Sequence, residues 1–258
     1  MSKVIGGLDS TMRTGGGKVT NQHDAHAKLG IKADDRICLC GLPGTGKTVM
    51  LEWLAELPPQ TYVIDALQQY SDMGEEGDVY DLMQPGKNHL RYFPKAESPK
   101  ALEDIAKKLH RISNTTLIIE EAEAYLPQGK MLYDYTSSLI RRGRNWGIGV
   151  WLTTRRIQDI NKRFFDLCQH VIFFRCGLKS REYIAGMIGN DYVIKPLRSQ
   201  YNQLKYGLTT LPKYHALHVN LETEEANIIY LNIRGKAQHL LEVGGKGKVN
   251  KEEEAEAE

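Results

Sequence analysis

Residues 41–48 read Gly-Leu-Pro-Gly-Thr-Gly-Lys-Thr, and that segment limits the chain to a narrow set of folds. It fits G-x-x-x-x-G-K-[ST], a loop that cradles phosphates when a strand precedes it and a helix follows. Both flanks have that character: Ile37 to Cys40 is a short apolar run, and Val49 to Leu57 has a helical pattern. The glycines let successive backbone N–H groups turn inward where a Cβ would crowd the bend. The helix start adds its own N–H groups and the positive end of its dipole. Gly41, Pro43, Gly44, Thr45, Gly46, Lys47, Thr48 and Val49 are therefore the expected nucleotide contacts. Lys47 reaches toward the β- and γ-phosphates, and Thr48 offers its hydroxyl to Mg²⁺. The chain is expected to bind a nucleoside triphosphate, ATP, with Mg²⁺.

The rest of the chain alternates short strands and helices. Tyr62 to Asp65, Leu90 to Phe93, Leu117 to Ile119, Gly147 to Thr153 and His170 to Cys176 read as strands. Ala101 to Ile112 carries apolar residues at helical spacing behind a Ser98-Pro99 start, and Met131 to Arg142 reads as a second helix. This alternation predicts an α/β fold: a mainly parallel sheet with helices on both faces. Tyr214 to Leu221 and Ala226 to Ile233, around Glu222-Thr223-Glu224-Glu225, predict a C-terminal β-hairpin at the sheet edge. The predicted organisation is a flexible N-terminal arm over residues 1–30, an ATPase domain over 31–235, and a disordered Gly/Lys then acidic tail over 236–258.

A phosphate-hydrolysing site needs an acid near the metal and a base for water. Thr116-Leu117-Ile118-Ile119-Glu120-Glu121 offers both at the end of a buried strand. Glu120 is expected to hold Mg²⁺ and Glu121 to polarise the attacking water. Acids at a helix start are favoured in any case, so it is the phosphate loop that gives this pair its meaning. Arg155, at the tip of the neighbouring strand, is open to three roles: a reporter of the γ-phosphate, a DNA contact, or a surface charge. Arg141, Arg142 and Arg144 cluster before that strand. An arginine supplied to a neighbour's nucleotide can be worth about 10³-fold or more in rate. A basic helix end explains Arg141 as well, but explains less readily an Arg144 beyond Gly143.

Composition adds exclusions. A hydrophobic fraction of 41% suffices for a core, and no run of eighteen apolar residues predicts a membrane span. Met1 to Gly17 lacks the apolar centre of a secretory signal. Cys38, Cys40, Cys168 and Cys176 show no zinc spacing and read as reduced, buried thiols, which suits a cytoplasmic location. The net charge is +2. Lys251 to Glu258 holds one lysine and five glutamates, a net of −4, so the other 250 residues carry +6. A modestly basic body permits contacts to a phosphate backbone.

Several segments together resemble the FtsK–HerA superfamily of DNA-pumping ATPases. These are the loop Gly41 to Thr48, Val63-Ile64-Asp65 with Tyr70-Ser71, Glu120-Glu121-Ala122 with Tyr125-Leu126-Pro127, Arg142-Gly143-Arg144 through Thr154-Arg155-Arg156 with Asp159-Ile160, and Val171 to Arg175. The resemblance implies a RecA-like P-loop NTPase core, with Lys47, Thr48, Glu120 and Glu121 as its machinery. It implies Arg144, then Arg142, as the arginine acting on a neighbour. Glu120 stands where the family usually has Asp, and Arg155 where it usually has Gln. A core without further domains is most similar to genome-packaging ATPases of membrane-containing double-stranded DNA viruses. That implies double-stranded DNA as partner, a homo-oligomeric ring of five or six subunits, and capsid or vertex proteins nearby. A HerA-like cellular or plasmid translocase, and a slow nucleotide-dependent scaffold or switch, are the alternatives. Lys162 and Arg163 are candidate pore residues; Lys195, Arg198 and Lys205 read as solvated surface.

Overall fold

The computed structural model describes residues 29–188, 197–198, 205–206, 208–234 and 238–243. In chain order the strands are β1 Arg36–Cys40, β2 Thr61–Ile64, β3 Glu75–Glu76, β4 His89–Tyr92, β5 Thr116–Ile119, β6 Gly149–Thr154, β7 His170–Phe173, β8 Leu197–Arg198, β9 Lys205–Tyr206, β10 His215–Asn220, β11 Glu225–Arg234 and β12 Gln238–Val243. The helices are α1 Lys47–Leu54, α2 Pro99–Leu109, α3 Asp134–Arg142, α4 Lys162–Phe165 and α5 Leu178–Ile188. Ten strands form one sheet in the order β12-β11-β10-β7-β1-β6-β5-β2-β4-β3, and β8 pairs with β9 apart from it. From β7 to β3 all pairs are parallel; β10, β11 and β12 are antiparallel additions.

The central strands β1, β2, β5, β6 and β7 are buried along their whole length, which is why they read as unbroken apolar runs. Their side chains alternate between two cores. Cys38, Leu117, Leu152 and Phe173 face one side, where α2, α3, α4 and α5 contribute Leu102, Ile140, Phe164 and Ile184. Leu39, Ile118, Trp151 and Ile172 face the other, covered by Met50, Leu51 and Trp53 of α1 together with Tyr70. Helices lie on both faces as the alternation predicts, but four of the five described helices share one face.

Element boundaries follow local chemistry. Helix α1 starts at Lys47 and stops at Leu54, ahead of Pro58-Pro59. The α2 start is capped by Ser98, whose Oγ accepts the Ala101 N–H at 3.2 Å, with Pro99 in its first turn. At the C-terminal end the structure corrects the sequence reading. The β10–β11 hairpin is not the edge, because β12 pairs with β11 from Ile229↔Val243 to Arg234↔Gln238. Within the segment expected to be disordered over 236–258, Gln238–Val243 is thus a strand. The N-terminal arm up to residue 28 and the acidic tail lie outside the described residues.

Gly149 opens β6 where Ala33 crosses it. A Cβ at Gly149 would lie 2.0 Å from the Ala33 carbonyl oxygen, a backbone atom with little room to yield. Gly149→Ala is expected to cost about 2 kcal/mol or more, read as a lowered midpoint of urea unfolding at unchanged slope.

Candidate active site

The phosphate loop leaves the end of β1 between two neighbours and is fastened to both. The Gly41 N–H donates to the Thr154 carbonyl of β6 at 3.2 Å, and the Leu42 N–H to the Arg175 carbonyl beyond β7 at 2.9 Å. Gly41 admits no side chain, since a Cβ would lie 2.6 Å from the Phe174 Cβ. Gly46 has φ 120°, a conformation that glycine adopts without cost. Thr45 Oγ1 donates to the Leu42 carbonyl at 2.8 Å, closing the turn from within. Lys47 Nζ folds back over the loop and donates to the carbonyls of Gly41 at 2.8 Å and Leu42 at 3.1 Å. Burial lowers the pKa of that ammonium, and the Arg155 guanidinium adds to the effect. The first intrahelical bond of α1 runs from Met50 N–H to the Gly46 carbonyl, so the N–H groups of Lys47, Thr48 and Val49 precede it. Backbone donors and a cation are thereby concentrated in one concavity, which also borders Pro43 and Gly44.

Across that concavity stand the strand-end acids. Ile64 and Ile119 are register partners in β2 and β5, so Asp65 and Glu120 emerge side by side. Glu120 is 4% exposed and Asp65 is fully buried. Asp65 is well held: Oδ1 accepts the Gln69 N–H at 2.8 Å, Oδ2 accepts the Tyr70 N–H at 3.1 Å, and Arg91 Nη1 stands 3.7 Å away. Glu120 Oε2 accepts only a long bond, from the Leu67 N–H at 3.4 Å, among the described backbone donors. Burial, and then the adjacent Asp65 carboxylate, push the Glu120 carboxyl up to about 8. The turn after Asp65 also places the buried Tyr70 in the lining of the concavity with Thr48, and burial raises the pKa of its phenol.

Glu121 follows in the left-handed region at φ 45°, an uncommon conformation for a non-glycine residue. Its N–H donates to Thr153 Oγ1 at 3.2 Å, which ties the end of β5 to the tip of β6. The Glu121 carboxylate pairs with the Arg155 guanidinium, and both line the concavity opposite Lys47. The predicted loop residues, Glu120, Glu121 and Arg155 are thus brought together. Sequence reasoning gave Asp65, Tyr70 and Thr153 no contact role; an acid ending a fully apolar strand was the available signal for Asp65.

Arg142 and Arg144 are not part of this assembly. Arg144 lies before β6 begins, whereas Arg155 follows its end, so the two lie at opposite ends of that central strand. The Arg144 guanidinium meets Glu222 Oε1 at 2.9 Å, Asp35 Oδ1 at 3.5 Å and Asp34 Oδ2 at 3.8 Å. Arg142 is exposed at the end of α3. Lys162 and Arg163 form the exposed start of α4. Arg198 and Lys205 are backbone partners in the β8–β9 ladder, and Lys195 lies outside the described residues.

The fold and the site are those of a P-loop NTPase, and residues 32–155 match the family model described as AAA domain. The particular structures that share the fold include the genome packaging NTPase B204 from Sulfolobus turreted icosahedral virus 2 in complex with ATP-gammaS, at 17% identity and a TM-score of 0.64, over 79% of this chain and 100% of that one. The same protein in complex with AMPPCP matches at 18% identity and a TM-score of 0.64, over 79% and 100%. B204, the DNA-packaging ATPase from Sulfolobus Turreted Icosahedral Virus, matches at 16% identity and 0.62, again over 79% and 100%. At such identities the likeness is one of fold. No curated protein matches the chain in sequence. Among the described residues, no helix is long and apolar enough to cross a membrane.

Proposed function

We propose that this chain is an ATP-driven translocase of double-stranded DNA, of the FtsK–HerA type, that packages a viral genome as a homo-oligomeric ring. The observation that carries the reading is the convergence of the Gly41–Thr48 loop with Glu120, Glu121 and Arg155 on a core that B204 shares over its full length. Glu121 is the base for water, and Lys47 is the charge on the transferred phosphoryl. Glu120 and the Thr48 hydroxyl suit Mg²⁺: an anion disfavoured beside Asp65 gains from a divalent cation, and magnesium keeps much of its coordination for water and phosphate. When bound, that ion would neutralise charge on the phosphates. Arg155 holds Glu121 through an ion pair, and a γ-phosphate arriving at the guanidinium would compete for it and free the carboxylate. The same pair also favours a second reading, a slow nucleotide-dependent switch, in which Arg155 restrains Glu121 for most of the cycle.

Arg144 lies at the opposite end of the central strands from its own loop, so in this reading it serves the nucleotide of an adjacent subunit, with Arg142 beside it. Its three carboxylate contacts then exchange for that neighbour's phosphate on assembly. Arg144→Ala and Glu121→Gln are each expected to abolish turnover, about 10²-fold or more. Mixing the two inactive variants should restore part of the rate, because some interfaces then join an intact Glu121 to an intact Arg144. Turnover by Arg144→Ala alone at the wild-type rate would contradict the assignment.

A further inference from the structure

The phosphate loop has two flanks. On one, β5 and β6 present Glu120, Glu121 and Arg155. On the other, β7 and β10 deliver Phe174, Arg175 and Tyr214 to the loop. A triphosphate whose γ-phosphate meets Glu121 runs along the loop away from the acids. Its α-phosphate and nucleoside therefore emerge on the second flank.

Tyr214 stands there with φ 64°, a backbone state that aromatic residues rarely take. It is held from both sides: its N–H donates to the Thr45 carbonyl at 2.9 Å, and its own carbonyl accepts the Leu231 N–H at 2.8 Å. Strand β10 begins only at His215, so the strained residue belongs to the junction with the phosphate loop. The ring edge abuts Gly46, where an added Cβ would lie 3.0 Å from Tyr214 Cδ1. The side chain is only half-buried, packing against the core that α1 covers, and Lys213 Nζ lies 4.7 Å from the ring centroid. Strain of this kind persists where surroundings over-determine it, and it gathers at ligand clamps.

We propose that Tyr214 is the platform for the nucleobase of the bound nucleotide, a purine stacking on its ring in place of the exposed Lys213 ammonium. This rests on the nucleotide-site reading above. A π-face accepts any base, so the subsite supplies affinity with modest selectivity among nucleotides.

The test is calorimetric titration of the full chain with two probes, a non-hydrolysable ATP analogue and inorganic tripolyphosphate. Wild type, Tyr214→Phe and Tyr214→Leu are compared; leucine fills the space beside Gly46 without a π-face. Tyr214→Leu is expected to weaken the ATP analogue about tenfold and to leave tripolyphosphate within about twofold, while Tyr214→Phe matches wild type. Equal weakening of both probes would make Tyr214 a prop for Gly46 and overturn the proposal, as would an unchanged affinity for the analogue. Wild-type protein binding neither probe would overturn the nucleotide site itself, and the base subsite with it.

Discussion

Glu121→Gln is expected to lower ATP turnover by about 10² to 10⁴-fold while leaving nucleotide affinity close to that of wild type. The expectation follows from where the carboxylate acts. Glu121 touches none of the loop donors; its backbone is tied to Thr153 and its side chain to Arg155. Glutamine keeps the size of the side chain and can still accept from Arg155, so the backbone turn at φ 45° and the tip of β6 should persist. What is lost is an anion able to take a proton from water. Single-turnover hydrolysis beside equilibrium binding separates the two quantities. A parallel fall in both would mean that Glu121 shapes the site rather than acting in it.

The second large effect is expected at Glu120, with opposite signs in activity and stability. Glu120→Gln removes an anionic partner for Mg²⁺, and turnover should fall by about 10²-fold. The folded ligand-free protein should meanwhile gain. Glu120 holds its proton up to about pH 8 when folded, against an ordinary value of 4.5. Between those values the folded chain binds more protons than the unfolded one, so rising pH costs it stability through that window. Glutamine cannot titrate, and the variant should be flatter across pH 5 to 8.5. At the upper end it should exceed wild type by about 1–3 kcal/mol. Urea unfolding at several pH values, without nucleotide or metal, reads this directly. Wild type gaining stability as pH rises from 5 to 8 would contradict the buried carboxyl pair as drawn.

The sequence carried the central part of the fold because its determinants are local. Each buried strand is a short apolar run, and Gly41 to Thr48 fixes what joins β1 to α1. Glu120 and Glu121 were legible because a strand end places its next two residues in the crevice that the loop occupies. What escaped depends on pairing between distant segments. Asp65 enters the site only because β2 lies beside β5, and Tyr214 only because β10 runs back along β7 to the loop. Beneath the sheet, Arg144 meets Asp35, whose other oxygen lies 3.2 Å from His170 Nε2; His170 Nδ1 in turn stands 3.0 Å from His218 Nε2. No spacing rule connects residues 35, 144, 170 and 218. The β12 strand was missed for another reason: Gln238 to Val243 is short and runs into glycines and lysines, a composition typical of linkers.

The most direct measurement is steady-state ATP turnover with and without double-stranded DNA, for wild type and Glu121→Gln, alongside the mass of the active species in solution. DNA is expected to stimulate turnover in an assembled wild-type oligomer, and Glu121→Gln to abolish it under both conditions. Full turnover by a monomer, indifferent to DNA, would contradict the translocase reading.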